Sequence, residues 1–158
     1  MCPSLKVLLL GWCIEVTDDG VSKLEELKDL VQIDLNLTSV TEKSCQLLGR
    51  LPSLRKVDLS ACQITDEGLK QLLDPRYTGE TKHHCSFEEL VLRFNESLTP
   101  NGVLRVAEVA TKLKLLDVGN CGLNKVNSRT AFRILQRRNV RIHFDSWRES
   151  LLRNVVPI

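Results

Sequence analysis

An apolar pattern returns along this 158-residue sequence at a period near 25, and few folds are open to a chain built that way. The unit is an apolar residue, two variable residues, an apolar residue, one variable, an apolar residue, two variable, then a small polar residue or cysteine. It reads Leu5, Leu8, Leu10, Cys13; then Leu30, Ile33, Leu35, Thr38; then Leu54, Val57, Leu59, Cys62. Phe87, Leu90, Leu92, Asn95 and Leu113, Leu116, Val118, Cys121 follow, with a weaker sixth copy in Asn139, Ile142, Phe144, Trp147. Successive first positions lie 25, 24, 33, 26 and 26 residues apart. One unit of this length cannot bury its apolar face, so neighbours must stack and share a core. With 28 leucines and only 4% aromatic residues, that core is aliphatic, which suits repetitive packing better than a centre built on a few large rings.

Each copy is followed by a helix start. Thr17-Asp18, Thr41-Glu42, Thr65-Asp66 and Thr99-Pro100 place a hydroxyl where it can cap the free amides of a first turn. The next residue is an acid, which suits the helix dipole, or a proline, which has no amide to lose. Asn124 takes the same place in the fifth copy. Apolar residues then follow at helical spacing, as in Val21, Leu24, Leu27 and in Leu69, Leu72, Leu73. The expected fold is an α/β solenoid with parallel strands on a concave face and helices on the convex one. It is a single domain over 1–158, with units at about 5–29, 30–53, 54–86, 87–112 and 113–138. A degenerate sixth unit and a C-terminal cap, in which Trp147 and Leu151 fold over the last unit, occupy 139–158. The long third interval is read as an exposed loop over 74–86, which has turn residues and no periodicity.

The stretch Leu54-Arg55-Lys56-Val57-Asp58-Leu59-Ser60-Ala61-Cys62-Gln63-Ile64-Thr65-Asp66-Glu67-Gly68-Leu69 resembles the cysteine-containing type of leucine-rich repeat. The likeness extends over residues 5 to about 145. Repeats of that type occur in F-box substrate receptors of ubiquitin ligases and in many stand-alone repeat proteins. The resemblance is specific for the repeat and unspecific for the function. It departs from the receptor pattern in one respect, since no F-box-like helical stretch lies ahead of Leu5.

The cysteines read as packing residues. Cys13, Cys62 and Cys121 share one repeat position inside the turn after the strand, and Cys45 falls on the apolar face of a helix. Copies in alternate units lie about 10 Å apart by strand spacing, too far to pair. These four are expected as slow, buried, reduced thiols, with Cys2 and Cys85 reacting first, and a reducing, cytoplasmic setting follows. His83, His84 and Cys85 lack a second ligand pair at zinc-like spacing, so the plain reading of their loop is a polar one, with recognition as an alternative. No phosphate loop, nucleophile elbow or cysteine–histidine pair supports catalysis, and no cofactor motif is present. A net charge of +2 gives no field for nucleic acid, and no apolar run approaches the roughly 18 residues of a membrane span.

The informative surface is the strand face. Leu9, Asp34, Asp58, Val91, Asp117 and His143 lie between the last two apolar positions and point outward, with Lys56 and Glu89 in the row before. Trp12, Leu37 and Phe94 follow in the turns. A solvated face with incidental charges is the plain reading. Apolar anchors around an acidic centre at Asp34 and Asp58 instead suggest a protein-binding face for a basic or mixed segment. On this reading Asp58→Lys weakens binding and leaves folding intact. Two other roles stay open, the recognition part of a ubiquitin-ligase receptor and a structural subunit of a large assembly. The first unit is expected to dock on another chain or to continue a longer protein, because four residues cannot cover its strand and apolar flank.

Overall fold

A computed structural model describes residues 4–74, 85–123 and 127–144. Each three-residue strand centres on the second apolar position of its unit. They are β1 (Val7–Leu9), β2 (Gln32–Asp34), β3 (Lys56–Asp58), β4 (Glu89–Val91), β5 (Leu115–Asp117) and β6 (Arg141–His143). They form one sheet in chain order, every neighbouring pair parallel. Register keeps equivalent positions together, Ile33 opposite Val57 and Asp34 opposite Asp58. Slipping by one residue would turn every core leucine to the open face, so the apolar pattern itself fixes the pairing.

Helices return the chain between strands: α1 (Asp18–Ser22), α2 (Glu42–Arg50), α3 (Asp66–Leu73), α4 (Pro100–Val109) and α5 (Arg129–Arg137). This is the leucine-rich-repeat solenoid that the sequence implies. The hydroxyls of Thr41, Thr65 and Thr99 cap their helices by accepting from the amides of Lys43, Gly68 and Asn101. The same hydroxyls tie units together. Thr41 donates to Asp18, Thr65 to Glu42 and Thr99 to Asp66, so the first acid of one helix receives the capping threonine of the next. Gly102 belongs to this contact: a Cβ there would run into the Asp66 carboxylate.

Two helix starts differ from expectation. Thr17 makes no side-chain capping bond, and α1 tightens into a 3-10 turn over Lys23–Glu26 instead of running on to Leu27. Among the described residues the first helix has a helical neighbour, α2, on one side only, and packing rather than propensity sustains short helices. In the fifth unit the helix begins at Arg129 with Ser128 before it; Asn124 lies outside the described residues.

The core lies between sheet and helices, and its central side chains Ile33, Leu35, Leu48, Leu59, Leu90, Leu92 and Leu116 are fully buried. Its first unit is looser. Leu5, Leu8, Leu10, Val16 and Leu24 are only partly buried, whereas their equivalents Leu30, Ile33, Leu35, Val40 and Leu48 are sealed. At the far end the Phe132 and Phe144 rings stack 4.8 Å apart beside a cleft that Arg129, Arg133, Val140 and Ile142 also line. The expected cap from residue 145 onward, and residues 75–84 of the expected loop, lie outside the described residues. At that loop's edge Asp74 is buried, not exposed.

Candidate protein-binding face

The open side of the sheet is built from alternate strand residues, because the middle residue of each strand points into the core. On it stand Val7, Leu9, Gln32, Asp34, Lys56, Asp58, Glu89, Val91, Leu115, Asp117, Arg141 and His143. The turns that follow carry Trp12, Leu37, Ala61, Phe94 and Asn120, all with φ between 53° and 69°. That left-handed region is costly for residues with a side chain, and costlier for bulky ones. The turn is held there by sheet bonds that continue past the strands, Trp12 N–H to Asn36, Leu37 to Ser60, Ala61 to Arg93 and Phe94 to Gly119. Its effect is to turn three large apolar side chains outward: Trp12 is 74% exposed, Phe94 48% and Leu37 37%. Leu9, at 62%, joins Trp12 at the first unit.

The aspartates have a structural duty that spacing alone does not reveal. Asp34, Asp58 and Asp117 each accept the backbone amide two residues on, from Asn36, Ser60 and Gly119, and so close the turn after the strand. Asp117 goes further inside than expected. It is buried between Arg93, at 3.2 Å, and the Nδ1 of His143, at 3.5 Å. Arg93 also lies over the Phe94 ring, 5.6 Å from its centre. Lys56 and Glu89 pair at 2.9 Å across neighbouring strands. Asp34 and Asp58 stand side by side on β2 and β3, and among the described residues neither forms an ion pair. Among the described residues the face thus carries an unpaired acidic patch, Asp34 and Asp58, between Leu9, Trp12 and Leu37 on one side and Val91 and Phe94 on the other, while Arg141 stands on β6 at its far end.

Asp18 and Asp58 pull stability in opposite directions with pH. Burial works to raise the Asp18 carboxyl, but bonds from Ser44 and Thr41 outweigh it and hold it below its ordinary 3.8. A depressed carboxylate stabilises above its unfolded value, and the gain is lost as the pH falls through the folded one. Asp18→Asn should therefore be less stable than the parent at neutral pH, the gap closing in acid. Burial raises the Asp58 carboxyl, against the Ser60 bonds, and the Asp34 and Asp117 carboxylates raise it further. Its contribution is present below the unfolded value and lost as the pH rises through the folded one. Asp58→Asn keeps an oxygen for the Ser60 amide and loses the charge, so it should gain stability at neutral pH. Denaturation midpoints across the acidic range check both, and gaps of the same sign would contradict the assignment. The same geometry corrects one expectation: Asp58→Lys would break the turn as well as reverse the charge, so it is not a clean probe of binding.

Three of the four packing thiols are buried, Cys45, Cys62 and Cys121, and all three are free. Burial pushes Cys45 up to about 12 and Cys121 up to about 11, and raises Cys62. Cys13 departs from expectation and is exposed. The reason is directional: Cys62 and Cys121 are covered by the preceding unit, donating to the carbonyls of Leu35 and Leu92. Alkylation in native buffer with peptide mapping should label Cys13 well before Cys45, Cys62 and Cys121. Equal rates would contradict this.

The small net charge conceals a polarity that the sequence reading missed. Residues 4–74 carry twelve acidic and eight basic side chains; residues 85–144 carry five acidic and ten basic. The unpaired aspartates thus lie in the acidic half. Among the described residues no group of His, Cys, Asp and Glu is arranged to hold a metal, and no helix is long and apolar enough to cross a membrane. Among known families, the Leucine Rich repeat model matches residues 50–73, from the end of α2 through β3 to the end of α3.

Proposed function

We propose that this leucine-rich-repeat protein is a non-catalytic scaffold that binds a protein partner on the open strand face. The partner presents a cationic, partly apolar segment. One observation carries the reading: Asp34 and Asp58 form an unneutralised pair flanked by outward-facing Leu9, Trp12, Leu37 and Phe94. Trp12, Leu37 and Phe94 sit in a costly backbone region without entering the core, and apolar anchors around a desolvated charge are hot-spot chemistry. A lysine or arginine between the carboxylates would neutralise them, and the raised Asp58 carboxyl supports an affinity for added positive charge. The acidic half of the solenoid would steer such a segment to this end of the face. Leucine-rich-repeat domains generally mediate protein–protein interaction, which fits. A role within a ubiquitin-ligase receptor is one setting for such a scaffold, and a structural subunit is another; the cytoplasm is the proposed location.

Affinity capture from the native source with parent and variant proteins tests the reading. Leu37→Lys and Phe94→Lys leave the core intact and should each weaken retention of the same partner roughly tenfold or more. Glu25→Lys, on the helix side, should retain it. Equal loss from Glu25→Lys, or no loss from either face variant, would overturn the assignment.

A further inference from the structure

Two cations flank Asp58 in the sheet, and each is held by another acid. Lys56, two residues earlier on β3, pairs with Glu89 at 2.9 Å. Arg93 lies two residues past Val91, so the sheet sets it between Ser60 of the third unit and Gly119 of the fifth. Asp58 and Asp117 stand in register with Val91 on its two sides, each one strand step of about 4.8 Å away. A guanidinium in that place has two equivalent carboxylates within reach. It takes Asp117, with Nη1 at 3.2 Å and 3.4 Å from the two oxygens. Asp58 is left without an ion pair among the described residues.

What separates the two sides is one Cβ. On Gly119 a Cβ would stand 3.0 Å from Nη1 and 3.1 Å from Cζ of Arg93, so the guanidinium fills the space that this glycine leaves open. On the other side the same repeat position is Ser60, which carries a Cβ and is buried. The Phe94 ring, 5.6 Å from the guanidinium carbon, and the Gly119 amide bonded to Asp117 hold the arrangement. We propose that Gly119 and Asp117 are positioning residues that draw Arg93 off Asp58 and so keep the acidic pair open to a partner's cation. That cation belongs to the partner proposed above for the strand face, whereas the side that Arg93 takes is a property of the free chain.

Carboxyl-carbon NMR titration of the free chain reads that side. Exchanging the two residues, as Ser60→Gly with Gly119→Ser, alters no charge and moves the open space beside Asp58. Arg93 should follow it. The exchange should then lower the Asp58 midpoint by about half a pH unit or more beyond what it does in an Arg93→Gln background. Asp117→Asn keeps an oxygen for the Gly119 amide and should give the same excess, so the proposal is still tested if the exchange does not fold. Circular dichroism confirms the fold of each variant. An equal effect on Asp58 with and without Arg93, in folded variants, would overturn the proposal. The partner captured by the parent should be retained roughly tenfold less by the exchanged chain, and regained when Arg93→Gln is added. Unchanged retention, where Leu37→Lys and Phe94→Lys release the partner, would overturn the role in selection and leave the strand face assigned. No loss from those two face variants would overturn the strand-face reading, with the titration still deciding where Arg93 sits.

Discussion

Replacing Asn95 by leucine should cost roughly 3–5 kcal/mol of stability, although the volumes are close, because three buried backbone groups lose their partner at once. The Asn95 amide nitrogen donates to the carbonyls of Leu59 and Leu92, and its oxygen accepts the Ile64 amide at 2.7 Å. The side chain is fully buried, so little water can replace it. It stands where the units on either side have Cys62 and Cys121, whose thiols donate once to the preceding unit and once more weakly within their own turn. Asn95→Cys should therefore recover part of the loss through a thiol bond to the Leu59 carbonyl, and leave the Ile64 amide unmet. Urea denaturation of the two variants checks the order. A loss below about 1 kcal/mol for Asn95→Leu would mean that the joint between the third and fourth units does not depend on this residue.

Leu59→Ala should cost roughly 2–5 kcal/mol through the cavity it opens. Leu59 is fully buried at the last apolar position of the third unit, between equivalents Leu35 and Leu92 that are equally sealed. Units on both sides hold the site open, so collapse around the hole is limited. Leu10→Ala makes the comparison. The same repeat position in the first unit is only partly buried, and truncation there should cost clearly less. Equal losses would show that the first unit is as well packed as the third, contrary to its half-covered leucines.

What the sequence made legible follows from which interactions are local and periodic. Leu30, Ile33 and Leu35 announce a strand with one buried face because their spacing alone decides which side meets the core, and each strand lies where that spacing put it. Thr41, Thr65 and Thr99 announce helix starts because a cap acts within its own turn. Thr17 has the same local signal and does not cap; among the described residues its helix is supported on one side only, by α2. The aspartates were harder. Asp34 and Asp58 look like free surface charges in a list of outward positions, but a carboxylate two residues before an amide is also turn chemistry. Asp117 was misplaced for a different reason: its cover comes from Arg93 one strand back and His143 one strand on, and no spacing rule joins those residues. Cys13 carries the signal of a buried thiol, yet burial of that position is conferred by the neighbouring unit, a property of the stack and not of the motif.

Hydroxyl-radical footprinting of the chain, free and with its captured partner, tests the binding face most directly. It reads side-chain cover residue by residue, whatever the partner is. Leu37 and Phe94 should become protected on binding, with Leu9 and Trp12 beside them, while partly buried helix residues such as Leu47 and Leu104 should be unchanged. Protection of Leu47 and Leu104 with Leu37 and Phe94 still reactive would place the partner on the helices and contradict the account.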